Sequence, residues 1–272
     1  KLPLTNMVVI RGCPYFCTFC DQAGTGARRR SPPKVIEEIK QCVEKFGIKE
    51  ISFWDDTMSY HRKWMKEFLN LLIEENLDLC WSCYAAVNTV DKEILKLMKK
   101  AGCWNIFYGY ETATDTLAKN IQTNRKNRDF EKMKQVAKWT KEAGIEVRGS
   151  FLIGLPGETK DNIMYTLNYA LNRYDKYDVL PVINLVKALP GTELYENTVN
   201  NHLYTDKLEF KPNEITTKEF DPKWIAEQYA WFRRELNKIR IIKSLKSPRE
   251  LRKSFQILFD KLNEKRALHT MN

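Results

Sequence analysis

The sequence has no apolar run longer than a few residues, far short of the roughly 20 that a membrane-spanning helix needs. No apolar core of a signal peptide follows Lys1-Leu2-Pro3-Leu4, so export is not expected and a cytoplasmic setting is. Glycine (11) and proline (10) are scarce in 272 residues, which excludes a low-complexity or disordered chain. Only three histidines occur, His61, His202 and His269. They stand apart, and each reads as a surface or helix residue rather than a ligand. Seven cysteines are an odd number; without a secretory signal they argue against a disulfide scaffold and for a reducing compartment. Position 1 is Lys, not Met, so a fragment of a longer protein is expected.

What the chain does have is an apolar share of 43%, ample for a sizeable core. Its net charge of +10 is unevenly spread: residues 221–272 carry 13 Lys and Arg against 6 Asp and Glu. Such a tail can favour an acidic substrate, nucleic acid or a membrane surface. A solvated Lys-rich helical face is the plainer reading. Trp224, Tyr229, Trp231 and Phe232 look like the packed side of that helix rather than a base-stacking platform, so nucleic acid is not expected as a partner.

Strand-length apolar runs alternate with helical periodicity. Strands are expected near 6–10, 50–54, 79–87, 104–108, 145–153 and 179–186, and helices over 33–46, 62–75, 91–100, 129–143 and 160–172. Ser31 reads as the first N-cap and Gly47 as the first stop. Six strands alternating with five helices imply parallel strands joined by right-handed crossovers. The expected fold is α/β, a partial barrel of six βα units over residues 1–200, with a mainly helical extension over 201–272. An open doubly wound sheet is the competing architecture. In either, chemistry belongs at the C-terminal ends of the strands.

The first strand runs into Arg11-Gly12-Cys13-Pro14-Tyr15-Phe16-Cys17-Thr18-Phe19-Cys20. Three thiolates spaced C-x3-C-x2-C on one short loop can wrap one face of an inorganic cluster, and Gly12 and Pro14 let the loop leave the strand. Three protein ligands on a four-iron cluster leave one iron open to a small molecule. A zinc site would need a fourth donor; Asp21 is adjacent, but the nearest downstream histidine is His61. Three buried cysteines without a metal are the remaining alternative.

This loop resembles that of the radical S-adenosylmethionine (SAM) superfamily, and the likeness extends over roughly residues 5–195. The resemblance implies that Cys13, Cys17 and Cys20 hold a [4Fe–4S] cluster whose open iron is chelated by SAM. Reductive cleavage of SAM would then give a 5′-deoxyadenosyl radical that abstracts hydrogen from a substrate, the electron coming from a donor such as flavodoxin or ferredoxin. Further strand ends fit the series. Asp55-Asp56 stands where many members carry Gly-Gly-Glu, with Asp55 expected to receive the SAM amino group and a helix cap as the alternative for Asp56 or Ser59. Gly109-Tyr110-Glu111 resembles the element whose carboxylate meets SAM. Arg148 to Glu158 resembles the adenine-binding glycine element, which implicates Ser150, Gly154 and Gly157; Ser150 replaces its first glycine. Arg148 is expected either to pair with the SAM carboxylate or to face a helix. The Pro190-Gly191-Thr192 turn resembles one that closes over the adenine. Cys80 and Cys83 point to opposite strand faces and should not form a metal clip. Arg28-Arg29-Arg30 could meet an acidic substrate but reads better as a solvated run.

Within the superfamily, Phe-Trp-Asp-Asp-Thr and Gly-Leu-Pro-Gly-Glu look most like the cobalamin-associated branch, whose members methylate unreactive carbons or form rings. A cobalamin would be carried by a domain not in this chain, and 1–272 alone is not expected to bind one tightly. A tRNA methylthiotransferase is the alternative enzyme, disfavoured by the helical C-terminal end. A non-catalytic metal-binding module is the alternative of another class, and it leaves Glu111 and Gly154–Glu158 without a purpose.

Overall fold

The computed structural model describes residues 3–121, 129–200 and 222–246. The chain divides into two compact units, Lys1–Asp221 and Pro222–Asn272.

The first unit opens with β1 (Leu4–Met7), then a two-stranded ribbon, β2 (Ile10–Arg11) and β3 (Arg28–Arg29), and then α1 (Pro32–Phe46). It continues through β4 (Glu50–Phe53), α2 (Arg62–Glu74), β5 (Cys80–Ala85), α3 (Lys92–Lys100) and β6 (Cys103–Glu111). After α4 (Asp115–Asn120) come α5 (Phe130–Glu142), β7 (Glu146–Ile153), α6 (Lys160–Tyr177), β8 (Val179–Leu185) and α7 (Glu193–Asn200). The main sheet has six strands in the order β1-β4-β5-β6-β7-β8, every pair parallel. It is an open sheet with β1 and β8 at its edges, not a closed barrel. The edge position of β8 is where a sheet tolerates Pro181.

Burial follows strand parity. Ile51, Phe53, Trp81, Cys83, Tyr108, Val147 and Phe151 lie on the helix-covered side and are buried. Phe53, Phe68 and Trp81 meet edge-on at 5.6–6.3 Å, and Trp64 stacks on Phe68 at 5.3 Å, arrangements that add to the burial of their area. The Trp81 indole N–H donates to the Ala101 carbonyl at 2.6 Å, which satisfies its one polar atom. Cys83 is buried on this side and Cys80 is not, so the two thiols diverge as strand alternation requires.

Helix limits follow capping. His61 caps α2, its Nδ1 accepting from the Trp64 N–H at 3.2 Å; Asp91 does the same for α3 from Ile94. Gly47 ends α1 with φ 63°. Four differences from the sequence expectation have local causes. The first strand stops at Met7, because the amides of Val9 and Ile10 bond the Asp55 carboxylate instead of a neighbouring strand. The ribbon β2-β3 is an addition made by two residues on each side. Helix α6 runs on to Tyr177 because Asp178 itself takes the left-handed conformation, φ 58°. The short helices α4 and α7 are additions that the expected alternation does not contain.

In the second unit, α8 spans Pro222–Lys246. Of its four expected packing aromatics, Phe232 is buried and Tyr229 is exposed. The rest of the expected helical extension, 201–221 and 247–272, with His202 and His269, lies outside the described residues.

The turn after β7 is held by Glu158, a fully buried carboxylate. Its Oε2 accepts from the Gly154 N–H at 2.6 Å and the Leu155 N–H at 3.0 Å; Oε1 has no partner among the described residues. Burial dominates these bonds and pushes the carboxyl from 4.5 to about 7. A raised acid favours folding in its protonated form, so the stabilisation is complete below the unfolded value and is lost as pH rises through about 7. Urea unfolding at pH 5 to 8 should show the protein losing roughly 2–3 kcal/mol more than Glu158→Gln, whose neutral amide does not titrate.

Candidate functional site: a three-thiol cavity at the strand ends

The site is built on the loop between β2 and β3. The ribbon closes the neck of this loop, pairing Ile10 with Arg29 and Arg11 with Arg28. At the neck Gly12 takes φ 81°, and a Cβ there would collide with the carbonyl oxygen of Gly26, so only glycine lets the two sides approach. Inside the loop the Cys13 N–H donates to Thr25 Oγ1 at 3.2 Å, and that hydroxyl donates to the Gln22 carbonyl at 2.9 Å. Gly24 N–H reaches the Tyr15 carbonyl at 2.7 Å, and Cys20 N–H reaches the Cys17 carbonyl at 3.1 Å.

Two attachments fix the loop to the barrel. Thr18 donates its N–H to the Ile121 carbonyl at the end of α4 and accepts the Leu194 N–H at the start of α7, at 3.2 and 2.8 Å. Phe19, between the second and third cysteines, packs on an apolar cluster of Leu117, Ile121, Leu152, Leu155, Val186 and Leu194 at the ends of β7 and β8. Thr18 and Phe19, between the second and third thiols, are therefore anchors.

A cavity of about 450 Å³ opens beside this loop, within the range of sites that hold drug-sized ligands. Of the expected site residues, it brings together Cys13, Cys17, Cys20, Glu111 and Ser150. Burial pushes the Cys13 and Cys20 thiols up, and for Cys20 the charges of Asp21, Cys13 and Asp56 add to the effect. Among the described residues no three His, Cys, Asp or Glu side chains converge on a single-ion site. A cluster that takes one thiolate per iron does not require such convergence, so three thiols along one cavity wall fit a cluster better than a zinc ion.

Glu111 is held in an unusual way. It has φ 53°, strained for a side chain of this kind, and sits where the β6-β7 register shifts between Gly109 and Glu111. Its carboxylate folds back over Gly109, where a Cβ would strike Oε1. The outcome is a carboxylate turned into the cavity at a strand's C-terminal end.

Other expected residues lie elsewhere. Asp55 is 1% exposed, and its Oδ1 accepts the Val9 N–H at 2.8 Å and also the Ile10 N–H. Burial raises its carboxyl to about 6. It is a staple between β4 and the end of β1, and the acid that lines the cavity is its neighbour Asp56. Ile51 and Phe53 share Asp55's parity and are buried, a signal the sequence contained. Gly154, Gly157 and Pro190 are not on the cavity wall; the first two shape the turn that Glu158 closes. Arg148 does not line the cavity either, but it shares the inner sheet face with Ser150, two residues on. Arg28 and Arg29 serve in the ribbon, and Arg30 pairs with Glu38. Sequence reasoning missed Thr57, Asn88, Tyr84, Phe107 and Lys132 on the wall; only the fold shows that these loop, strand and helix positions meet.

An open parallel α/β barrel with a three-thiol loop after its first strand, and a carboxylate at each of two further strand ends, is the architecture of an enzyme that carries a cluster and a small cofactor. The family model of the radical SAM superfamily matches residues 7–170, and the chain belongs to that superfamily. It is 32% identical over 206 residues to an uncharacterized methyltransferase of Pyrococcus horikoshii, covering 74% of this chain and 43% of that protein. It is 29% identical over 177 residues to an anaerobic magnesium-protoporphyrin IX monomethyl ester cyclase of Rubrivivax gelatinosus, covering 62% and 31%. Among solved structures it resembles the radical SAM methyltransferase TsrM of Kitasatospora setae, with cobalamin and [4Fe–4S] cluster bound (TM-score 0.65, 21% identity, 74% of this chain and 40% of that one). The chain thus spans less than half the length of these relatives.

Gly12→Ala should destabilise the loop neck by roughly 1–3 kcal/mol through strain at a left-handed position. Iron counted after anaerobic reconstitution should fall well below the wild-type level while the far-UV circular dichroism of the barrel is kept.

Proposed function

We propose that this chain is the radical-generating core of a SAM enzyme that methylates or cyclises its substrate, working with a cobalamin carried outside these 272 residues. The observation that carries the reading is the single cavity shared by Cys13, Cys17, Cys20, Asp56 and Glu111. The first compact unit is the radical module. Cys13, Cys17 and Cys20 hold a [4Fe–4S] cluster, which supplies one electron to cleave bound SAM.

The protein's own residues do the rest. Asp56 and Glu111 present carboxylates suited to an ammonium and to ribose hydroxyls, since charge-assisted bonds of this type are the strong ones. Ser150 offers a hydroxyl on the same wall, itself accepting from the Asn184 amide at 3.1 Å. The anchored loop keeps the thiols from drifting, and the apolar part of the wall, with Ala85, Val87 and Met133, limits water around a reactive species.

The methyltransferase and cyclase names of the relatives support the reaction class, and the cobalamin-bound relative supports the second cofactor. A one-electron donor of the flavodoxin or ferredoxin kind completes the reaction. The need for reduced thiols supports a cytoplasmic setting; no described helix is long and apolar enough to cross a membrane.

Anaerobic reconstitution should give about four iron and four sulfide per chain. Alanine at Cys13, Cys17 or Cys20 should abolish the cluster and SAM cleavage together, while alanine at Cys42 or Cys80 should spare both. Retained SAM cleavage in any of the three loop variants would overturn the assignment. Glu111→Gln should keep the iron content and weaken SAM binding by one to two decades, the cost of a lost charge-assisted bond of roughly 1.5–3 kcal/mol; equilibrium dialysis with labelled SAM measures it.

A further inference from the structure

The inner face of the sheet is unlike the interior of a closed barrel. A closed barrel fills its interior with branched apolar side chains in layers. Here the inward positions include Ser52, Ser82 and Ser150, none of them buried, and an exposed Asn184. These short polar side chains leave room above the strands. Against this background three large planar side chains fall in one row. Tyr84 on β5 is paired in register with Phe107 on β6, and Phe107 is paired with Arg148 on β7. Neighbouring strands lie about 4.8 Å apart, so the row spans about 10 Å.

Each member of the row is accessible. Tyr84 is 37% exposed, Phe107 is half-buried and Arg148 is exposed. The two rings lie 5.1 Å apart at a tilt of 47°, which leaves an open corner rather than a closed stack. Both rings line the cavity of the cysteine loop. The Arg148 guanidinium makes no hydrogen bond or ion pair with another described residue, although Glu146 and Ser150 share its face. The next row toward the strand ends holds Gly109 and Ser150, on the wall assigned above to SAM. The aromatic row is therefore contiguous with that wall but separate from it.

We propose that Tyr84, Phe107 and Arg148 form the substrate-recognition row, and that it takes a planar aromatic or conjugated ring carrying a carboxylate about one strand spacing away. This rests on the radical SAM reading above, which supplies the reaction but not the substrate. The tilted aromatic pair offers one face and one edge to a flat ring, the two arrangements that aromatic quadrupoles favour. The guanidinium presents a rigid fork that matches a carboxylate in two parallel bonds. An aliphatic substrate would gain little from the first feature, and a neutral ring nothing from the second.

The carboxylate could in principle belong to SAM, and the test separates the two sources. The anaerobically reconstituted chain, loaded with SAM, is titrated calorimetrically with indole-3-propionate, with indole, and with 3-cyclohexylpropionate. Indole-3-propionate should bind with a Kd below about 1 mM, and each control at least tenfold more weakly. Arg148→Gln should reduce indole-3-propionate to the affinity of indole and leave both SAM affinity and SAM cleavage unchanged. Phe107→Leu should weaken the two indole probes and spare the cyclohexyl acid. Arg148 is exposed, so its variant should fold, and an unchanged thermal melt checks this. The proposal is overturned if no probe binds, if the cyclohexyl acid binds as well as the indole acid, or if Arg148→Gln leaves the indole acid unaffected. It is overturned equally if Arg148→Gln weakens SAM, because the guanidinium then serves the cofactor. Failure of the radical SAM reading itself would show differently, as absent SAM cleavage by the wild-type chain whatever the probes do.

Discussion

The placing of the three loop thiols depends on how their loop is tied to the rest of the sheet. Asp55 sets its origin. By taking the amides of Val9 and Ile10, the buried carboxylate ends the first strand and turns the chain toward the ribbon that carries the cysteines. Thr18 and Phe19 then fix the loop's far side to α4, α7 and the ends of β7 and β8. A buried acid is costly in its charged form, as the rise of Asp55 to about 6 shows, yet its two backbone bonds have no other partner in the ladder. The staple fixes the root of the loop beside the buried side chains of Val9 and Ile10.

The same logic explains the open sheet. All six strands run in parallel, so their C-terminal ends deliver the loops to one rim. The helix-covered side is packed with Phe53, Phe68, Trp81 and Tyr108. The inner side is left accessible, and there Glu111 adopts a left-handed backbone at a register shift of the ladder rather than at a helix end, a local strain. Strain at a strand end, beside a glycine that must be bare, is local energy spent on the direction of one carboxylate. Glu158 shows the same pattern in the next loop, a buried acid stitched to two amides to shape a turn.

Much of this was legible in the chain itself. The cysteine spacing, the alternation of strands and helices and the carboxylates after strands are local patterns, so they survive without knowledge of the fold. The choice between Asp55 and Asp56 was also in principle legible. Parity with Ile51 and Phe53 puts Asp55 on the buried side, but that inference holds only if the strand's geometry continues two residues past its last ladder bond. Arg148 is a similar case: Val147 and Phe151 mark the buried parity and leave Arg148 inward. Helices α4 and α7 were not legible, because one is too short for periodicity and the other hides behind a turn.

The sequence by itself determined the candidate thiols and the order of the elements, because closely spaced cysteines and a repeating βα pattern are properties of neighbours along the chain. Only the tertiary structure decided which acid faces the cavity, which glycines are indispensable and which rings and charges lie in one row. Those are properties of strands brought side by side in a definite register. Tyr84, Phe107 and Arg148 are far apart in sequence and become one surface only when the parallel ladder sets them level.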